Sequence, residues 1–214
     1  MKIILLMFLF LEISSVTYEG IDVSVWQGNI NWSLVAQNKY FAIIRAGYGT
    51  GGSDTYWETK YSNAKSNGVK VGAYWYSYAS SVADAQNEAK AFVNALAGKQ
   101  LEWPVYYDIE ESSIFNAGIQ NDIAKAFCDI LENNRYYCGI YASASRFNNN
   151  FNDEVKTRYT VWIAHWDVPR PSYDGRYDVW QKTIGTCPGI GEVDLDEGYL
   201  NFEPVMKENH LNGY

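Results

Sequence analysis

The sequence predicts an α/β protein built as an irregular, TIM-like βα-barrel whose later strands lack helices. Three observations carry that expectation. Short, near-continuous apolar runs rich in Val, Ile, Tyr and Trp recur from Ile21 to Gln181, as in strands buried on both faces of a parallel sheet. Amphipathic stretches separate the first five runs, so strand and helix alternate as in barrels and open α/β sheets. In the last third, strand-like segments around Val161, Val179 and Val193 crowd together and leave no room for full helices.

Each element has its own justification. The predicted strands are Ile21–Val25, Phe41–Ala46, Val71–Ser77, Val105–Ile109, Gly139–Ala142, Val161–Trp166 and Asp178–Gln181. Ser33–Lys39 and Tyr56–Asn67 are short helical stretches, the second ended by Gly68. In Val82–Leu96 the apolar residues Val82, Ala85, Ala89, Phe92, Val93 and Leu96 stack along one helical face. Ser81 caps that helix and Gly98 ends it. A second long helix, Gln120–Asn133, turns Ile119, Ile123, Phe127, Ile130 and Leu131 inward. Pro169–Pro171 and Gly185–Gly191 read as loops, and too few residues follow Leu200 for a further module.

The 214 residues, 47% hydrophobic and 20% charged, suit one globular domain with one sizeable core. The N-terminus reads as a signal peptide over residues 1–17, with Lys2 before the apolar run Ile3–Leu11 and small or polar residues at Ser14–Thr17. That run is shorter than the roughly 20 residues a spanning helix needs. The expectation is therefore an exported chain, secreted or delivered to a lysosome-like vesicle, with a functional domain over 18–214 and no membrane association after cleavage. A monomer is expected. A net charge of −8 argues against nucleic acid as a partner. Cys128, Cys138 and Cys187 allow one disulfide in any of three pairings. With only His165 and His210 and no Cys-x-x-Cys pair, neither a metal site nor a cofactor is expected.

Acidic residues gather at predicted strand ends, where barrels of this type place their active sites. Asp22 lies in the first strand, Asp108 and Glu110 end the fourth, and Asp194 lies near the chain's end. Positions i and i+2 of a strand project from one face. Asp108 and Glu110 would thus stand together, roughly 6–7 Å apart at Cβ. Glycosidic cleavage needs such a pair, a protonated acid for the leaving oxygen and an ionised carboxylate beside the oxocarbenium-like centre. Close like charges raise one pKa and supply the proton donor. The aromatic content of 16% suits sugar rings. Tyr74, Tyr76 and Tyr78 alternate toward one face, and Trp166 and Gln181 end later strands, so these five are candidate substrate-binding residues. Arg45 near a strand end is expected to pair with a cleft carboxylate.

Several blocks resemble glycoside hydrolase family 25 lysozymes, in order along residues 20–200. They are Gly20–Gly28, Phe41–Gly49, Tyr107–Glu110, Gly139–Ser143, Val179–Gln181 and Val193–Asp196. The resemblance implies a βα-barrel and N-acetylmuramidase activity on bacterial peptidoglycan, at the β-1,4 bond between N-acetylmuramic acid and N-acetylglucosamine. By position it implies Glu110 as general acid and Asp108 as partner carboxylate, either nucleophile or the group orienting the substrate's N-acetyl oxygen. Asp22 and Asp194 resemble two further acids of the same cleft. Three positions depart from the family pattern. Asn31 replaces an Asp before Trp32, Trp75 stands where His is frequent, and Asp196 stands where Asn is common. Strand alternation turns Trp75 away from the barrel centre, and a turn role is expected for Asn31. Two other classes fit the residues less well, a non-catalytic glycan-binding protein on the same barrel and a hydrolase of another hexosamine polymer such as chitin.

Overall fold

A computed structural model describes residues 16–214. The signal-peptide reading therefore falls almost entirely outside the described residues. Within them, eight strands close into a barrel. They are β1 (Tyr18–Val23), β2 (Phe41–Tyr48), β4 (Lys70–Tyr76), β5 (Val105–Asp108), β6 (Cys138–Ser143), β7 (Thr160–Ala164), β8 (Val179–Cys187) and β9 (Gly191–Gly198). A two-residue strand, β3 (Gly52–Ser53), attaches to the end of β2. Neighbours from β1 through β2, β4, β5, β6 and β7 to β8 run parallel. β9 closes the ring antiparallel to both β8 and β1.

The helices are α1 (Trp32–Val35), α2 (Trp57–Ser66), α3 (Val82–Leu96), α4 (Ser112–Ala117), α5 (Gln120–Asn133), α6 (Ala144–Asn149), α7 (Asp153–Arg158) and α8 (Glu203–Glu208). The two long ones start and stop where their caps and periodicity predict. The Ser81 side chain accepts from Asp84 N at 3.1 Å, and Gly98 follows with φ 73°. The expected Ser33–Lys39 helix shortens to α1. Asn31 caps it, accepting from the Leu34 amide, which is the turn role foreseen for it. No helix lies between β7 and β8 or between β8 and β9.

One expected loop is in fact strand. Gly185–Gly191 belongs largely to the β8–β9 hairpin, in which Gly185 pairs with Val193 and Cys187 with Gly191. A connection this short can only return antiparallel, because parallel neighbours need a crossover of a dozen or more residues. Gly189 and Gly191, with φ of 93° and 98°, accept the turn.

Two cores result. Between barrel and helices, Trp75 packs on Phe92 of α3, and Tyr107 stacks on Phe127 of α5 at 3.7 Å. Trp75 thus faces outward as alternation requires. Inside the barrel, Phe41, Ile43, Tyr74, Trp103, Tyr106, Tyr141, Trp162 and Val179 fill the lumen, and Phe202 and Met206 of the α8 region join them. Phe41 stacks on Trp103 at 3.7 Å, and glycine on the facing strands makes the room. A Cβ on Gly20 would overlap the Phe41 ring and one on Gly198 the Trp103 ring. Each such buried ring contributes about 1.5–3 kcal/mol. This plug fills the lumen below the carboxyl ends of the parallel strands.

Cys128 of α5 and Cys138 of β6 form the disulfide, with Cα atoms 5.5 Å apart. Cys187 is buried and free.

Candidate active site

At the barrel mouth lies a cavity of about 270 Å³, and every parallel strand contributes to its wall. Strand alternation selects the side chains: Asp22 from β1, Arg45 from β2, Tyr74 and Tyr76 from β4, Asp108 from β5, Tyr141 from β6, Trp162 from β7 and Gln181 from β8. Glu110 follows two residues after β5, and Asp194 comes from β9. The β1–β9 register sets Asp22 directly opposite Asp194. Trp26, in the 3₁₀ turn after β1, and Trp166, after β7, stand at the rim, 83% and 46% exposed.

Hydrogen bonds fix the deep end. Gln181 Nε2 donates to Asp22 Oδ2 at 2.7 Å. Gln181 Oε1 accepts from the Tyr141 hydroxyl at 2.8 Å and from Trp166 Nε1 at 2.9 Å. One amide thereby orients a carboxylate, a buried phenol and a rim indole. The acceptor capacity of Gln181 is fully used within the protein. Tyr76 donates to Glu111 Oε1 at 2.8 Å. Arg45 pairs with Asp54 at 2.9 Å, and the second contact of Asp54 Oδ2 is the Val25 amide. The expectation that Arg45 pairs with an acid of the cleft is thus corrected. Asp54 sits behind the wall, because the β2–β3 hairpin returns the chain beside Arg45.

The acids differ in setting. Asp108 is buried, and its Oδ1 has no partner within the protein. Burial, then the charges of Glu110 and Asp22, raises its carboxyl well above the usual range. Glu110 is exposed at the mouth. Partial desolvation of its carboxyl, then the charges of Glu111 and Asp194, still raises its pKa. Asp22 is raised by burial and then by Asp194, against the Gln181 hydrogen bond. Asp194 is raised by burial and then by Glu192. Low dielectric and mutual repulsion act together on the whole set, with Arg45 as the lysine or arginine side chain lining the cavity.

The sequence of the described domain matches glycosyl hydrolases family 25 over residues 21–186. The chain belongs to that family. By membership it is a glycoside hydrolase. Similar relatives include an autolytic lysozyme of Clostridium acetobutylicum, 29% identical over 182 residues, which covers 84% of this chain and 55% of that protein. Another is the uncharacterized protein YegX of Escherichia coli O157:H7, 32% identical over 200 residues, covering 86% of this chain and 70% of that one. The chain therefore spans little more than half the length of the clostridial relative. Among solved structures, a family 25 glycosyl hydrolase from Bacillus anthracis superposes with a TM-score of 0.73 at 25% identity, over 89% of this chain and 92% of that one.

Of the sequence-chosen residues, this family 25 domain gathers Asp22, Asp108, Glu110, Asp194, Tyr74, Tyr76, Trp166 and Gln181 around one cavity. Tyr78 is not among its walls. β4 ends at Tyr76, so the alternation argument stops there. Tyr78 instead lines an adjoining hollow of about 350 Å³ with Trp26, Arg45, Tyr48 and Asp54. Sequence reasoning passed over Trp26, Gln27, Ser24, Tyr141 and Trp162 as walls. Trp26 had a signal, since it closes the Asp22–Trp26 run just past a strand's end.

Among the described residues, no group of three or more His, Cys, Asp or Glu is arranged to hold a metal ion. No helix there is long and apolar enough to cross a membrane.

Proposed function

We propose that this domain is a lysozyme that hydrolyses the β-1,4 bond between N-acetylmuramic acid and N-acetylglucosamine in bacterial peptidoglycan. The observation that carries the reading is the pair Asp108 and Glu110 in one sugar-sized cavity, with both carboxyls shifted toward holding a proton. Family membership and the clostridial autolytic lysozyme support the substrate.

In this reading Glu110 is the general acid. It stands at the open rim, where a glycosidic oxygen can reach it, and its raised pKa keeps a proton available. Asp108, deeper and aimed at the same space, serves the oxocarbenium-like centre once it gives up its proton. Asp22 and Asp194 hold charge and hydrogen bonds around the pair. The rings of Tyr74, Tyr76 and Trp166 supply faces for the sugars, and Tyr78 with Trp26 extends that surface beyond the cavity.

We also propose that the protein works outside the cytoplasm as a monomer. The Cys128–Cys138 disulfide supports an oxidising compartment, as does the apolar N-terminal segment. Edman sequencing of secreted protein beginning between about Ser14 and Tyr18 checks this.

The deciding experiment is a peptidoglycan digest reduced with borohydride and analysed by mass spectrometry. Muramitol at the new ends supports the assignment. Glucosaminitol ends, or faster cleavage of chitin oligomers, would overturn it. No new ends at all would leave a glycan-binding barrel.

A further inference from the structure

Asp196 lies two residues beyond Asp194 on the inward face of β9, one layer deeper in the barrel, and is fully buried. Its Oδ1 accepts from Trp162 Nε1 at 2.8 Å. Its Oδ2 is buried with no conventional donor beside it. The acid nearest to it on β1 is Asp22, its diagonal cross-strand neighbour on the same inward face. The registers agree. Asp196 pairs with Gly20 on β1 and with Gln181 on β8, and Gln181 itself reaches across to Asp22.

Two ionised carboxylates facing each other at the buried end of the cavity are strongly disfavoured, because both oxygens would be acceptors and neither charge would be compensated. The charged and titratable groups around the pair offer little relief. Asp194 of β9 and Asp108 and Glu110 of the β5 end are acids, and Tyr74 of β4 and Tyr141 of β6 are neutral phenols. Arg45 of β2 is committed to Asp54. A carboxylic acid that keeps its proton, by contrast, is a donor.

We propose that Asp22 and Asp196 share one proton, with a neutral Asp196 donating from Oδ2 to the Asp22 carboxylate. Asp196 is then a positioning residue. Gln181 and Asp196 hold Asp22 from two sides, and Trp162 holds Asp196. The neutral acid performs what an amide would do at the same place, but only while the proton stays. Deprotonation leaves two facing anions, so the device works in the acidic to neutral range and fails as pH rises.

The test compares Asp196→Asn, which keeps a permanent donor, with Asp196→Leu, which has none. Thermal unfolding reads the proton directly. The folded pair retains a proton that an unfolded Asp releases near pH 3.9. Wild-type stability therefore declines as pH climbs from that value through the release of the pair. Asp196→Asn escapes this part of the decline. Its midpoint should lie about 4 °C or more above wild type at about pH 8, and the gap should close at about pH 4. A gap that is the same at both pH values would overturn the proposal. The activity arm rests on the lysozyme reading, whereas the unfolding arm does not. At acidic pH, Asp196→Leu should lose on the order of tenfold in kcat/KM and Asp196→Asn should restore most of it. An Asn variant as impaired as the Leu variant would also overturn the proposal.

Discussion

Replacing Gln181 with Leu removes the side chain that joins three walls of the cavity. The residue is 4% exposed, so water cannot simply take its place. Its bond to Asp22 is charge-assisted, a class contributing about 1.5–3 kcal/mol, and the bond from the Tyr141 hydroxyl is neutral, about 0.5–1.5 kcal/mol. The bond from Trp166 is worth less, because that residue is half-exposed and its indole N–H can turn to solvent. Leu is close in volume, so cavity formation adds little. The expected loss is about 2–4 kcal/mol in urea unfolding, as a lower midpoint at constant slope. Activity on peptidoglycan should fall with it, since Asp22, Tyr141 and Trp166 lose their common anchor. Gln181→Glu sharpens the test. It keeps the acceptor oxygen that Tyr141 and Trp166 use but replaces the amide donor by an acid, so it should resemble wild type only while protonated and worsen as pH rises. A Leu variant within about 0.5 kcal/mol of wild type and fully active would refute the view that this amide organises the site.

Other expectations are simpler. Trp26→Ala, at a rim residue 83% exposed, should raise KM several-fold with kcat nearly unchanged, while stability stays within about 0.5 kcal/mol; steady-state kinetics and urea unfolding check both. Paired Cys128→Ser and Cys138→Ser changes release a loop with a separation of 10 residues. On chain entropy that costs about 2–3 kcal/mol, read as the difference from the oxidised wild type. The raised carboxyls of Asp22, Asp108, Glu110, Asp194 and Asp196 bind protons more tightly folded than unfolded. Their stabilising effect is complete below the unfolded values near 4 and is lost as pH rises through the folded ones. Glu19, Glu102 and Glu203, lowered mainly by lysine partners against burial, act oppositely and lose their contribution as pH falls. Unfolding midpoints should therefore peak on the acidic side of neutrality, and a maximum above about pH 8 would contradict the burial of the acid set.

Much of the architecture was legible because local signals and tertiary demands agree. α3 and α5 are long enough for their apolar stripes to declare themselves, and Ser81 and Gly98 bracket the first. The six-residue helices α4, α6, α7 and α8 are too short to show a period. The β8–β9 hairpin escaped notice because its outer half is partly exposed, carries Gly185 and Thr186, and pairs only with its immediate successor. In the site, Asp108 and Glu110 were readable from spacing on one chain segment. Gln181 bound to Asp22 joins residues 159 apart in sequence, a link only the closed barrel creates. The same holds for Asp54, which reaches Arg45 through a short hairpin with no periodic signal. Tyr78 shows the converse, since alternation extrapolates well along β4 and fails for a residue two positions past its end.

The most direct measurement is the rate of reducing-end release from peptidoglycan by wild type and Glu110→Gln, each checked by circular dichroism and thermal unfolding. Glu110 is exposed and makes no structural hydrogen bond among the described residues, so the fold should be unchanged. The account predicts a loss on the order of 10²–10⁴ in kcat, the span attributed to a positioned general acid. A folded Glu110→Gln variant that cleaves at near the wild-type rate would contradict it.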